Sequence, residues 1–550
     1  MTLSQVLATD VDQAVAAASA FYAQHILPFV RRRSPKAIIA AAVATVFSYQ
    51  IYRKMRIPRN LQHIPSVSYW RYMRSILSGE GIDVRAREIV LPVLLNSPSG
   101  LYLRPKSLGW TVAVADPVAM KALFFRRDDF PKSQGFVQRQ EALAAKYIGV
   151  GNIVTSNGDV WKKHRVIANP AFHRSMPVKL FGKLCEKMMI RFEKEGQGLE
   201  NVDAPKLLQR FTLDVIGLAA FGYDFEALDS PVNHKVQTYN AINQGTRDPL
   251  YFFLPFLEKN FLWALPKRRE LHRKMDDMNA IFYNIIEHKR LTLASTKDKT
   301  EDAEKDLLTL MLEANEEAKD AKHRLSDSEL RDDLAVFFLA GHDTTANALS
   351  FALYYLAVNH VSDFTYGALH VQEKARNEIL EILGDGDDIV YPTAAQCSEM
   401  KYIYMIMKET LRLNPPVQNS TLRIVHEDTQ LEGTFIPKGS TLSADIYMMH
   451  HNPKLWKDTE KFTPERFEAG GENDAKTGIG LAWVPFGNGA RQCIGMNFSF
   501  AEQKVALAML LRQYNWTLPE DSINKDRVIL DGGMFFSTPK DLRLKFSKRF

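Results

Sequence analysis

The sequence predicts a mainly α-helical fold with a smaller β-sheet region. Three observations lead there. Ser326-Asp-Ser-Glu329 is a capping-box signature, and it opens the longest helical pattern in the chain, which runs to about Asn359. Helix start and stop signals recur elsewhere. Asp116-Pro117 supplies an N-cap and a first-turn proline, and Pro415-Pro416 ends the helix that carries Glu409 and Arg412. Runs with β character are short by contrast, such as residues 111–115 and the strand-turn signature at 433–439.

The chain has 550 residues, 46% hydrophobic and 24% charged, enough to bury a large core. A net charge of +6 is too mild and diffuse to argue for nucleic acid. Cys185, Cys397 and Cys493 do not make a disulfide framework and suit a reducing compartment. Residues 37–52 read AIIAAAVATVFSYQIY, without a charge and with four basic residues close on each side. That is slightly short of the roughly 20 residues of a full span. The flanking tyrosines and long basic side chains can reach the interfaces. A transmembrane anchor is expected there, against a buried core helix or a secretory signal. A signal would carry its apolar core earlier. The anchor divides the chain into a lumenal or interfacial segment at 1–36, the anchor at 37–52, a basic linker at 53–66 and the main domain at 67–550. Flanking charge does not orient the anchor. Asp10 and Asp12, with no basic residue before Arg31, favour an extreme N-terminus outside the cytosol. Residues 14–30 read as an interfacial helix.

Residues 81–114 are mixed, with short β-type runs. Trp161 and Arg165, four apart, share one helix face. Residues 250–266 are dense in aromatics, which composition alone assigns to a core. Residues 295–324 read as a solvated connection with one helical insert at 307–314. The long helix from Ser326 is apolar enough to suggest a span. However, it contains Ala340-Gly341-His342-Asp343-Thr344-Thr345. A charge and two hydroxyls at mid-helix are costly in lipid and point to function. Gly341 removes a side chain where something approaches the backbone, and Thr344 can hydrogen-bond back to a carbonyl. Residues 371–384 read as a surface helix. Glu409 and Arg412 lie three apart on one helix face, by themselves an ordinary salt bridge.

Phe486-Gly-Asn-Gly-Ala-Arg-Gln-Cys-Ile-Gly495 presents Cys493 from a glycine-rich loop before an apolar helix. A lone buried cysteine is usually structural. A sulfur beside Arg491 and backbone N–H groups is expected to have a lowered pKa and to suit metal ligation. The complete pattern Phe-x-x-Gly-x-Arg-x-Cys-x-Gly resembles the haem-binding loop of cytochromes P450, and the resemblance extends over nearly all of the chain from about residue 60.

The resemblance implies a cytochrome P450 fold in the main domain and haem b, its iron held by the Cys493 thiolate. Trp161, Arg165, Arg423 and Arg491 would balance the propionates, within a loop framed by Phe486 and Gly495. Asp343 and Thr344 would manage protons on the distal face. Glu409, Arg412 and Arg466 would form the buried network that holds the segment before the cysteine loop. Ala340, Gln418, Leu422 and Phe535 are candidates to line the substrate pocket, with residues 417–424 passing as a strand. The implied activity is O2-dependent hydroxylation of a lipophilic substrate, with a steroid favoured over a fatty acid, terpenoid or xenobiotic. Electrons would come from a separate NADPH-cytochrome P450 reductase, with cytochrome b5 as a further partner. The implied place is the endoplasmic reticulum membrane, catalytic domain on the cytosolic face, with residues 250–266 dipping toward the bilayer. Two departures stand out. The proline-rich hinge usual after the anchor is reduced to Pro58 and Pro65, and residues 361–370 are an apparent insertion. The alternatives are an isomerase or dehydratase of this family acting on peroxides without O2, and a haem carrier or lipid-binding protein. The Asp343–Thr344 pair argues against both.

Overall fold

The computed structural model describes residues 45–46, 48–106, 109–135, 137–174, 176–230, 233–248, 250–251, 254–295, 305–318, 320–359, 371–476, 480–531 and 536–550. Residues 1–36, most of the expected anchor, the insertion at 361–370 and Phe535 lie outside these. The chain forms two compact units. Residues 1–59 with 108–110 make the first, where residues 48–55 are helical and the Trp110 indole donates to the Met55 carbonyl at 2.9 Å. No helix among the described residues is long and apolar enough to cross a membrane.

The second unit, residues 60–107 with 111–550, carries the main fold. Its longer helices are α1 (Tyr69–Leu77), α2 (Pro117–Phe125), α3 (Gly158–His173), α4 (Val178–Glu195), α5 (Ala204–Phe221) and α6 (His234–Thr246), then α7 (Pro266–Ser295), α8 (Leu307–Glu317), α9 (Asp327–Val358), α10 (Val371–Leu383), α11 (Lys401–Leu413) and α12 (Met496–Gln513). The strands are β1 (Leu101–Pro105), β2 (Trp110–Val114), β3 (Val202–Asp203), β4 (Arg423–Ile424), β5 (Thr429–Leu431), β6 (Thr434–Ile436), β7 (Thr441–Ala444), β8 (Tyr514–Thr517) and β9 (Arg543–Lys548). They form small sheets ordered β1-β2-β7-β4, β3-β9-β8 and β5-β6. In the first, β2 and β7 run parallel with Val112 opposite Leu442, and β4 is antiparallel with Arg423 opposite Leu442. That register sends Arg423 into the interior.

Helix α9 begins where the capping box places it. Ser326 accepts from the Glu329 N–H, and Glu329 reaches back to the Ser326 N–H. An N-cap of this kind stabilises by about 1 kcal/mol. From Leu330 to Ala357 the helix is buried almost all round, against α5, α7, α11 and α12, so its apolarity reflects a protein core. A Cβ on Gly341 would stand 2.8 Å from the Ile216 Cδ1. The group that approaches the helix backbone there is therefore α5. Asp116 caps α2 as expected, accepting from Val118 and Ala119 N–H groups.

The stretch 81–114 is mixed as expected, helical over residues 82–95 with one π-helical turn at Ala86–Val90, then stranded in β1 and β2. The spaced apolar residues of its helical part bury Ile82, Ile89, Val90 and Leu94. Two sequence expectations need correction. Residues 417–424 contain only the two-residue strand β4, with isolated bridges Val417–Phe536 and Asn419–Asp445. Within 250–266, expected as core by composition, Leu250, Phe256, Phe261 and Trp263 stand 48%, 43%, 45% and 74% exposed.

Candidate active site

Two elements present the cysteine. The loop reverses through Gly487 and Gly489, whose φ angles of 66° and 68° favour glycine. The Cys493 N–H then donates to the Phe486 carbonyl at 2.9 Å, and the Phe486 ring packs edge-on against Phe500 at 5.1 Å. Gly495 has an ordinary φ of −85° and room for a Cβ. Its role is its N–H, which faces the Cys493 sulfur.

Cys493 is accessible to a solvent probe, yet protein surrounds it densely enough that burial raises its thiol above the usual range. Burial outweighs the Gly495 N–H and the Arg165 guanidinium, both of which favour thiolate. The expected lowered pKa is thus corrected. Burial in the polypeptide alone favours the thiol, and haem iron, when bound, would favour the thiolate. The expected cation is also corrected. Arg491 turns away to the Ser156 carbonyl at 2.7 Å and stacks on Trp161 at 4.1 Å, whereas Arg165, bonded to the Gln492 carbonyl at 3.1 Å, serves the sulfur.

Around the loop the structure gathers cations. Arg423 is 1% exposed and donates to the Phe130 carbonyl at 2.8 Å, while its buried Nε has no partner. Burial first, and then Arg423, Arg127 and Arg165, push Arg491 down to about 9. Lys132, bonded to Thr421 Oγ1, is held well below the usual lysine range by burial and by Arg423 and Arg491. Asn157 fixes Lys132 through both backbone groups, at 2.9 Å each. A cleft of about 310 Å³ runs among Arg127, Trp161, Arg423 and Arg491. A set of mutually repelling, half-desolvated cations with an orphaned guanidinium nitrogen is built to receive an anion with several oxygens. Lys132 and Arg127 escape the sequence reading because isolated cations in a loop carry no pattern. Arg423→Leu is expected to speed haem loss about 10- to 100-fold. Transfer to apomyoglobin measures this.

On α9, Ala340 is exposed and Thr344 half-buried, with the Thr344 hydroxyl donating to the Ala340 carbonyl at 2.7 Å. The next residue, Thr345, meets Ser499 of α12 at 3.0 Å, which ties α9 to the helix following the cysteine loop. Asp343, 4% exposed, lies within a separate network. Its carboxylate accepts from Gln209 at 2.9 Å, Asn243 at 2.8 Å and Arg247 at 2.9 Å. Burial opposes its ionisation, but His342, Arg247 and Gln209 outweigh burial and hold the carboxyl well below the usual carboxylate range.

The Glu409 network is complete. Arg412 donates to both carboxylate oxygens at 2.7 and 2.9 Å, with both residues 0% exposed, and Arg466 reaches the same carboxylate at 3.3 Å. The Arg412 guanidinium also serves the carbonyls of His450, Thr459 and Lys461. Of the expected pocket residues, Leu422 is half-buried and Gln418 is buried, its amide donating to Ser537 at 2.6 Å.

A partly buried cation cluster beside a glycine-rich cysteine loop, in a mainly helical fold whose long helix carries an acid–threonine pair, defines the haem-thiolate class. The family model described as Cytochrome P450 matches residues 104–546. The chain is 31% identical to Cytochrome P450 4A24 of Sus scrofa over 82% of this chain and 86% of that protein. It is 30% identical to 11-oxo-beta-amyrin 30-oxidase of Medicago truncatula over 76% of each. Its fold matches the cytochrome P450DA haem domain with a TM-score of 0.70 at 23% identity, covering 88% of this chain and 98% of that one. The chain belongs to the cytochrome P450 family and is a monooxygenase. Its cofactor is haem, with Cys493 as the axial thiolate. The residues fit that group: Cys493 stands by a cluster of partly desolvated cations, Arg423 among them with an unpartnered Nε, as the two carboxylates of the macrocycle require.

Proposed function

We propose that the protein hydroxylates an unactivated C–H of a bulky lipophilic substrate, a steroid-sized ring system favoured, at the endoplasmic reticulum membrane. The observation that carries this is the cation cradle of Lys132, Arg165, Arg423 and Arg491 beside Cys493. When bound, haem supplies oxygen activation, and its thiolate ligand favours O–O cleavage. The chain's residues orient and tune. Arg423, Arg491, Arg165, Lys132 and Trp161 fix the cofactor by its propionates. The Glu409–Arg412–Arg466 set holds the segment leading to the loop. Ala340 and Leu422 line the substrate space. Thr344 Oγ1, tethered to the Ala340 carbonyl, positions a water in the helix groove, and Asp343 relays protons to it. Two electrons come from a separate NADPH-cytochrome P450 reductase, docked on the cysteine side, with cytochrome b5 as a second donor.

Residues 37–52 anchor the chain, with the catalytic domain cytosolic, and residues 250–264 rest on the bilayer. In that segment Phe256, Phe261 and Trp263 point outward, while Glu258, 3% exposed, turns inward to Arg268 at 2.7 Å and His272 at 3.1 Å. Charge inside and apolar rings outside suit an apolar neighbour. Brominated lipid is expected to quench Trp263 fluorescence in the reconstituted full chain. Trp263→Phe should remove that quenching, and an unchanged signal would reject the contact.

The activity is tested with purified reductase and a panel of steroids, fatty acids and terpenoids. NADPH and O2 consumption with a product one oxygen heavier is expected. No uptake with any lipid would sink the monooxygenation proposed.

A further inference from the structure

Three successive residues near the start of α9 hold the segment that leads into α3. Arg331 donates to the Lys146 and Tyr147 carbonyls, at 2.9 Å each, near the end of the short helix Leu143–Ile148. Asp332 accepts from the Val150 and Gly151 N–H groups at 3.0 Å each. Asp333 accepts from the Ile153 N–H at 2.8 Å. Gly149 permits this close approach: its φ is 70°, and a Cβ there would stand 1.9 Å from the Asp332 Cγ. Asp333 lies seven residues before Ala340, about 10 Å along the helix, and so outside the acid–threonine motif.

Asp333 also reaches α3 itself. Its Oδ2 accepts from Nδ1 of His164 at 2.6 Å, and both residues are 0% exposed. Burial pushes the Asp333 carboxyl above the usual carboxylate range, and the His164 hydrogen bond is the main opposing effect. One carboxylate therefore joins α9 to two elements that carry the cradle. On α3, His164 stands between Trp161 and Arg165 in the sequence. The loop after Ile153 ends in Ser156 and Asn157, whose oxygens hold Arg491 at 2.7 and 3.3 Å, and Asn157 also fixes Lys132. Lys163 and Glu329 join the same two helices at 2.6 Å, but they are 16% and 21% exposed and can exchange the pair for water. The fully buried Asp333 and His164 cannot.

We propose that Asp333 is a positioning residue for the cofactor: by holding His164 and Ile153 it sets α3 and the loop 153–157 against α9, and so aims Trp161, Arg165, Arg491 and Lys132 at the propionates. This rests on the reading of those residues as the propionate cradle. The cradle needs such a tie because its cations repel one another: Arg423, Arg127 and Arg165 each disfavour the charge on Arg491. Without the carboxylate, α3 and the loop lose their common anchor on α9, and the cations are free to spread.

The test is resonance Raman spectroscopy of the ferric holoenzyme, following the bending mode of the haem propionates, together with haem transfer to apomyoglobin. In Asp333→Ala the mode should move and transfer should quicken about 10- to 100-fold. His164→Leu should do the same in part, and His164→Asn, whose amide can donate to Asp333, should restore most of the difference. Asp214→Ala is the control. Asp214 is also 0% exposed and accepts from two backbone N–H groups, those of Ala227 and Leu228 at 2.8 Å each, which lie outside the cradle. Its loss should lower the melting temperature and leave the mode in place. If Asp333→Ala does not fold, the double variant Asp333→Leu with His164→Leu, which removes the buried charge together with its partner, takes its place. A mode unmoved in the Asp333 and His164 variants, or moved equally by Asp214→Ala, would overturn the proposal. A mode unmoved by Arg423→Leu would reject the propionate reading instead.

Discussion

Arg412→Ala is expected to leave no folded, haem-loaded protein. Arg412 and Glu409 are both 0% exposed, and the guanidinium makes two hydrogen bonds to the carboxylate and three to backbone carbonyls. It also lies 5.5 Å over the Trp456 ring. Its removal leaves Glu409 with Arg466 at 3.3 Å and the Thr463 N–H at 3.0 Å, and it orphans the carbonyls of His450, Thr459 and Lys461. Breaking a buried pair costs about 3–5 kcal/mol. Total stability is only about 5–15 kcal/mol. Arg412→Lys should fare little better, because an ammonium cannot serve two carboxylate oxygens and three carbonyls in one plane. The measurements are haem-to-protein ratio and thermal unfolding. A variant that loads haem fully and melts within a few degrees of the parent would refute the network's role.

Cys493→Ala is expected to separate holding the cofactor from using it. Lys132, Arg165, Arg423, Arg491 and Trp161 remain, so the variant should still take up haem, more weakly. Monooxygenation should fall to background, because nothing else near the loop can serve as a thiolate. The other two cysteines are buried, with burial pushing Cys185 well above the usual thiol range and Cys397 up to about 11. Haem titration and product formation measure the two effects. Substrate oxidation near parental rates would remove Cys493 from the chemistry.

Much of this was legible in the sequence because it is local. The capping box at 326–329, the N-cap at Asp116 and the three-residue spacing of Glu409 and Arg412 each specify their own geometry. What was missed depends on distance and burial. Asp343 looked like a free relay acid, but three of its partners, Gln209, Asn243 and Arg247, are at least 96 residues away in the chain. Arg491 looked like the cation for Cys493 because it is two residues distant, yet its side chain is drawn to Trp161 and Ser156. The sign of the thiol's shift was misread because neighbours are visible in a sequence and desolvation is not. Residues 250–266 looked like core by composition, but Phe256, Phe261 and Trp263 lie outward while Glu258 turns in.

The direct test of Cys493 as the iron ligand is the absorption spectrum of the reduced, CO-bound protein. The unaltered chain should give the red-shifted Soret band for which the family is named, and Cys493→His should lose that shift while retaining haem. An unaltered protein whose band lies where imidazole or neutral thiol ligation places it would contradict thiolate ligation by Cys493.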